Sequence, residues 1–218
     1  SASREVTVER RGGAPSLRGT LVSVDENQVV VRSDLGATHD LPWHTVRSVS
    51  PARPDVDRYL DRAEQLWRAT TRVERGDTEL AEPILAALYE TIGNASTETT
   101  LVIAEGLLRC RIARGDQVGA VMPFLDTVRL RRRGITTSAY ARLEPIIDTD
   151  TLLCPWLAPV LPTGPALRRL HAELTARAFP EPVSGVLAKL YRAAVEVEPD
   201  GRVIVPTELP EVPTNGES

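Results

Sequence analysis

The chain has 218 residues, 42% of them apolar and 26% charged, with a formal charge of −4 at neutral pH. This is ordinary composition for one or two globular domains. No stretch approaches the roughly 20 apolar residues of a membrane-crossing helix, and none reads as a signal peptide, so a soluble protein is expected, cytoplasmic or exported after removal of a signal. No segment is a basic domain, which weakens any nucleic-acid reading because phosphate neutralisation supplies most non-specific affinity.

Residues 4–9 alternate polar and apolar, and Leu17–Val24 and Gln28–Arg32 are β-branched runs. The polar Asp25-Glu26-Asn27 between the two runs predicts a hairpin. Further strands are expected over 37–41, after the turn Asp34-Leu35-Gly36, and over 45–49, after Pro42-Trp43-His44. Five short strands in so few residues predict a closed or strongly bent sheet, since closure removes edges that would pair between molecules. Leu17 through Asp25, Val29-Val30-Val31 and Pro42 through Val49 together resemble Sm-like and related small barrels. The resemblance implies a five-stranded β-barrel over residues 1–52, with Gly19 letting the bent second strand pass close to its neighbour. It also implies a group whose members bind RNA, peptides or nothing known. Trp43 reads as a core or interdomain plug rather than a base-stacking platform.

Pro51-Ala52-Arg53-Pro54 ends the strand pattern, and Asp55 is placed to cap a helix carrying Val56, Tyr59, Leu60, Ala63, Leu66, Trp67 and Val73 at helical spacing. The short proline-rich joint, with Trp43 and Trp67 beside it, predicts that barrel and first helices form one rigid body. Gly76 ends that helix, and Asp77 caps a second one that closes at Gly93-Asn94. A third is expected over Leu101–Ile112 with Ser96 as its cap, and a fourth over 118–130.

The joints of these helices repeat. Glu74-Arg75-Gly76-Asp77 through Ala81, Pro83 and Leu85 aligns with Ala113-Arg114-Gly115-Asp116 through Ala120, Pro123 and Leu125. One residue of slip gives a period of roughly 39, within the range of helix-hairpin repeats. Ala104-Glu105-Gly106-Leu107-Leu108-Arg109, then Ala113-Arg114-Gly115-Asp116 and Ala120, resemble tetratricopeptide repeats. The resemblance implies an all-α array of antiparallel helical hairpins over 53–134, presenting a surface to a protein or peptide. The longer period and the prolines Pro83 and Pro123 depart from that family, and each proline is expected to bend its helix.

Beyond Gly134 the pattern is rougher. Helices are expected over 138–147, 152–161, 166–178 and 183–195, as irregular capping elements of a region spanning 135–197. Residues 198–218 read as an acidic, proline-rich, disordered tail, with Val203-Ile204-Val205 as one strand-like stretch. The fold class is therefore α+β: a small barrel followed by helical hairpins.

Candidate chemistry is sparse. His39, His44 and His171 are scattered, and no phosphate loop, nucleophile elbow or Cys-x-x-Cys is present, so no cofactor or metal is expected. Cys110 and Cys154 are too few for a disulfide framework, though one bridge between helices is conceivable in an oxidising compartment. The two Arg-Gly-Asp triplets read as helix turns rather than adhesion loops. The one dense basic run, Arg129, Arg131, Arg132 and Arg133, sits at a helix C-terminus where it offsets the macrodipole, and it is the candidate partner-binding cluster. The leading expectation is a non-catalytic protein-protein interaction or scaffold module. An Sm-like RNA binder and an uncatalogued hydrolase are the alternatives.

Overall fold

The structure, a computed structural model, describes residues 5–91, 95–158 and 165–195. The expected helix end at Gly93-Asn94, the stretch Val203–Val205 and the acidic tail lie outside the described residues. Five strands come first: β1 (Glu5–Arg10), β2 (Leu17–Val24), β3 (Gln28–Ser33), β4 (Thr38–Pro42) and β5 (Val46–Ser50). The helices that follow are α1 (Pro54–Glu74), α2 (Thr78–Tyr89), α3 (Glu98–Arg114), α4 (Gln117–Arg132), α5 (Pro165–Ala176) and α6 (Pro182–Val195). The architecture is thus mixed α+β. Among the described residues, those up to 110 with 135–144 form a first compact unit, and 111–134 with those from 145 onward form a second.

In the first unit the strands make one antiparallel sheet of order β4-β3-β2-β1-β5. The hairpin expected around Asp25–Asn27 is β2–β3, and the Asp25 carboxylate accepts from the backbone of Asn27 at 2.7 Å and of Gln28 at 3.0 Å. A closed ladder is not observed, because β4 and β5 remain the two edges. They are joined by a single 3-10 turn, Trp43–Thr45. Two bulges bend the sheet. Val22 is the extra residue between the pairs Leu21↔Val31 and Ser23↔Val30, and Arg47 is the extra residue between Glu9↔Ser48 and Arg10↔Val46. The second bulge explains why Val46 and Val49 are both buried despite a spacing of three, which plain alternation would put on opposite faces. Gly19 sits where a β-carbon would collide with the Arg32 carbonyl, the close approach that its position predicts.

Helix α1 serves two cores. Its first half contributes Val56 and Ala63 to the sheet core of Val6, Val8, Leu21, Val29, Val31, Leu41, Trp43, Val46 and Val49. Its second half contributes Leu66, Ala69 and Val73 to a core shared with Ala81, Leu85 and Leu88 of α2 and Val102, Ile103 and Leu107 of α3. Trp43 is fully buried, donates its indole N–H to the Asp25 carbonyl at 3.0 Å and lies 5.4 Å from the Tyr59 ring of α1. It is the core plug expected of it, whereas Trp67 stays 37% exposed. Sheet and α1 belong to one compact unit.

Two helix starts, those of α1 and α3, shift from the expected caps, while Asp77 is the N-cap of α2 as expected. Arg53, not Asp55, is the N-cap of α1, because Pro54 takes the first helical position, where its fixed φ suits and its missing N–H costs nothing. Asp55 lies in the first turn and meets Arg53 Nε at 3.2 Å. For α3 the hydroxyl of Thr97, one residue after Ser96, accepts from Thr100 N at 3.3 Å. Pro83 and Pro123 both lie inside continuous helices.

Residues 138–147 are not a helix but a series of turns. Tyr140 takes a left-handed φ of 63° and its hydroxyl donates to the Val102 carbonyl at 3.1 Å, so tertiary packing replaces the helical ladder. The described part of the expected 152–161 helix is also non-helical, with a turn only at 155–156. Asp148 gathers the backbone N–H groups of Asp150 at 3.1 Å and Thr151 at 2.7 Å, and Leu152 has φ 59°. In the second unit α4 packs with α5 and α6 and is buried from Ala120 to Leu130 on every face. Phe124 meets Tyr191 edge-on at 6.1 Å.

Candidate functional site

Where α1 crosses the sheet in the first unit, a cleft of about 630 Å³ opens between the β1–β2 turn, β5 and the middle of α1. Gly12 and Gly13, both with positive φ, turn the chain sharply just after Arg10 and Arg11. The Arg47 bulge lies opposite Arg10. Bulges commonly re-aim a side chain at the edge of a sheet, and here Arg47 is delivered to the cleft, exposed, rather than to the sheet face. From α1, one turn apart, come Glu64 and Trp67.

These groups are organised around Arg11. Its Nε donates to the Val46 carbonyl at 3.0 Å, its Nη2 meets Glu64 Oε2 at 2.6 Å, and its guanidinium lies 4.5 Å above the Trp67 ring. Glu64 Oε1 also accepts from Arg68 Nε at 2.8 Å. The Arg11 hydrogen bond, with Arg68 in support, holds the Glu64 carboxyl below the usual carboxylate range. Glu64 therefore stays ionised and is a poor proton donor. Arg10 differs from its neighbour: its Nε is buried with no hydrogen-bond partner. A buried donor left unmade costs about 1–3 kcal/mol, and an acceptor entering the cleft would recover it.

The residues singled out in the sequence lie elsewhere. Arg129 is 3% exposed and pairs with Asp126 Oδ1 at 3.2 Å, the same carboxylate that Arg177 grips through Nη1 at 2.8 Å and Nη2 at 2.5 Å. Arg131 is half-buried, while Arg132 and Arg133 are exposed, Arg132 Nε lying 3.6 Å from Glu181. The basic run is thus split between an internal ion cluster and the surface. His39 is exposed and His171 half-buried. His44 is buried in the 3-10 turn with neither ring nitrogen hydrogen-bonded, and burial pushes its pKa down to about 4 even though Glu98 Oε1 lies 3.7 Å from Nε2. Burial outweighs that carboxylate, and His44 is neutral at pH 7. Cys110 and Cys154 are buried and form no disulfide.

Both Arg-Gly-Asp triplets are helix joints. Gly76 and Gly115 take φ of 83° and 76°, and the following Asp N–H reaches back to Arg72 O at 2.9 Å and Arg111 O at 2.8 Å. With Gly76 N to Val73 O and Gly115 N to Ile112 O, both at 3.0 Å, each is a Schellman stop that satisfies the last carbonyls of its helix. The cleft itself was missed in the sequence. Its signal is the pair Arg10-Arg11 followed by Gly12-Gly13, which places two cations at the end of a strand beside a tight turn.

No helix of the described residues is long and apolar enough to cross a membrane. Comparison of the chain with family models, with curated proteins and with solved structures yields no match.

Proposed function

We propose that this chain is a non-catalytic interaction module: a small Sm-like barrel joined to tetratricopeptide-like helical hairpins, with the cleft between sheet and α1 as its binding surface. The barrel reading is supported by the connection between the two edge strands. Four strand spacings across a flat sheet are roughly 19 Å. The three-residue turn from Pro42 to Val46 spans at most about 14 Å, so the sheet must curl to bring β4 toward β5. The hairpin reading rests on the two short Schellman joints, since turns this brief favour antiparallel neighbours.

The observation that carries the functional reading is the Arg11 guanidinium, paired with Glu64 and lying over the Trp67 ring. Together they offer a rigid aromatic face and fixed charge, the components of a recognition hot spot. Among the described residues lining the cleft the one carboxylate, Glu64, is held ionised by arginine, away from the pKa near working pH that acid-base catalysis favours. The test is capture from native extract on immobilised wild-type chain and on Trp67→Ala. A partner retained by the first and lost by the second supports the cleft. Equal retention by both contradicts it.

A further inference from the structure

We propose that the cleft takes an acidic peptide segment, with peptide carboxylates on Arg10 and Arg47 and a neighbouring apolar side chain on Trp67. The proposal rests on reading the chain as an interaction module and names the ligand of its cleft. Three guanidiniums and one carboxylate line the cleft. Arg11 is committed to Glu64 and the Val46 carbonyl, which leaves Arg10 and Arg47 as the cations that define what can enter.

Their setting favours carboxylates. Arg10 presents a buried Nε that lacks an acceptor. Arg47 stands across the bulge from Arg10, so the two reach the cleft from adjoining strands. Guanidinium edges match the planar, paired oxygens of a carboxylate. Trp67, half-covered by Arg11, keeps enough indole exposed to receive an aliphatic or aromatic side chain. A nucleic-acid strand needs a continuous track of cations along its phosphates. Here Glu64 interrupts any such track, and the chain as a whole carries a charge of −4.

The experiment screens the full chain against short randomised peptides, with a single-stranded oligonucleotide as a parallel arm and calorimetric titration as the affinity readout for a selected peptide. Wild type is expected to enrich peptides rich in Asp and Glu. Arg10→Gln and Arg47→Gln should each weaken the selected peptide about tenfold, as loss of a charged hydrogen bond does, while Arg169→Gln, exposed on α5, leaves it unchanged. Circular dichroism confirms that each variant is folded, and Arg47 is exposed, so its loss does not threaten the core. Enrichment without acidic preference, or acidic peptides held equally by the Arg10→Gln/Arg47→Gln double variant, overturns the proposal and leaves the interaction-module reading standing. Oligonucleotide binding stronger than peptide binding, and lost in the double variant, also overturns it. Enrichment of no peptide overturns both readings.

Discussion

The joints at Arg75-Gly76-Asp77 and Arg114-Gly115-Asp116 stop a helix in the same way and start the next one differently. Both use glycine at positive φ and the same two backbone bonds. Both also bring an arginine from the preceding turn onto the next helix: Arg72 Nη1 donates to the Leu80 carbonyl at 3.0 Å, and Arg111 Nη1 to the Gly119 carbonyl. The second of these carbonyls is the one that Pro123, lacking an N–H, cannot serve. At the starts the copies part. Asp116 accepts from Gly119 N at 2.9 Å and meets Arg114 at 2.8 Å, whereas Asp77 makes no side-chain cap. Gly119 is what permits this, since a β-carbon there would strike the Asp116 carboxylate; its counterpart in the first copy is Leu80. The helices that follow differ further, α2 keeping Leu80 exposed and α4 being buried all round. The repeat therefore specifies where the backbone turns. What each helix buries is decided by the residues around it.

Four experiments sharpen or break this comparison. The largest effect is expected at Asp126, whose carboxylate inside α4 is shared by Arg129 and Arg177. Asp126→Ala should cost about 3–5 kcal/mol, as removing one partner of a buried ion cluster does. The change Ala87→Asp, at an exposed site of α2, should stay within about 0.5 kcal/mol. Denaturant titration of both variants decides this.

Next in size is a pH effect that belongs to the first unit. His44 titrates at about 4 in the fold and near 6.5 when unfolded. Below that value the unfolded chain binds a proton that the folded chain refuses, so stability is full above about pH 6.5 and falls by about 3 kcal/mol as pH approaches 4. Thermal melts across this window should show the loss, and His44→Leu should flatten it.

The joints themselves come third. Gly76→Ala and Gly115→Ala should each cost about 1–2 kcal/mol, because both positions demand a left-handed backbone. Unequal losses would mean that the two stops are not equivalent. The smallest effect separates the caps: Asp116→Ala should cost about 1 kcal/mol, and Asp77→Ala less than about 0.5 kcal/mol.

Much of the backbone was legible in the residues. Alternation placed β1, β-branched runs placed β2 and β3, turn residues placed β4 and β5, and glycine followed by aspartate placed both joints. Segments ruled by long-range contacts were not legible. Over 138–147 the apolar spacing suits a helix, but the bond from Tyr140 to the Val102 carbonyl bends the chain away from one. Arg129 looks like surface charge until Asp126, three residues earlier, and Arg177, far along the chain, enclose it. The cleft escaped notice for a related reason, since Arg10, Arg47 and Trp67 are distant in sequence and meet only through a bulge that alternation does not announce.

The central claim is that the repeated triplets are architecture and that recognition belongs to the cleft. Its most direct test is the affinity of a peptide selected by the wild-type chain, measured side by side for Trp67→Ala and for the double variant Asp77→Ala/Asp116→Ala. The account predicts that Trp67→Ala loses the peptide while the double variant binds it as wild type does. Loss of binding in the folded double variant, with Trp67→Ala unaffected, would contradict it.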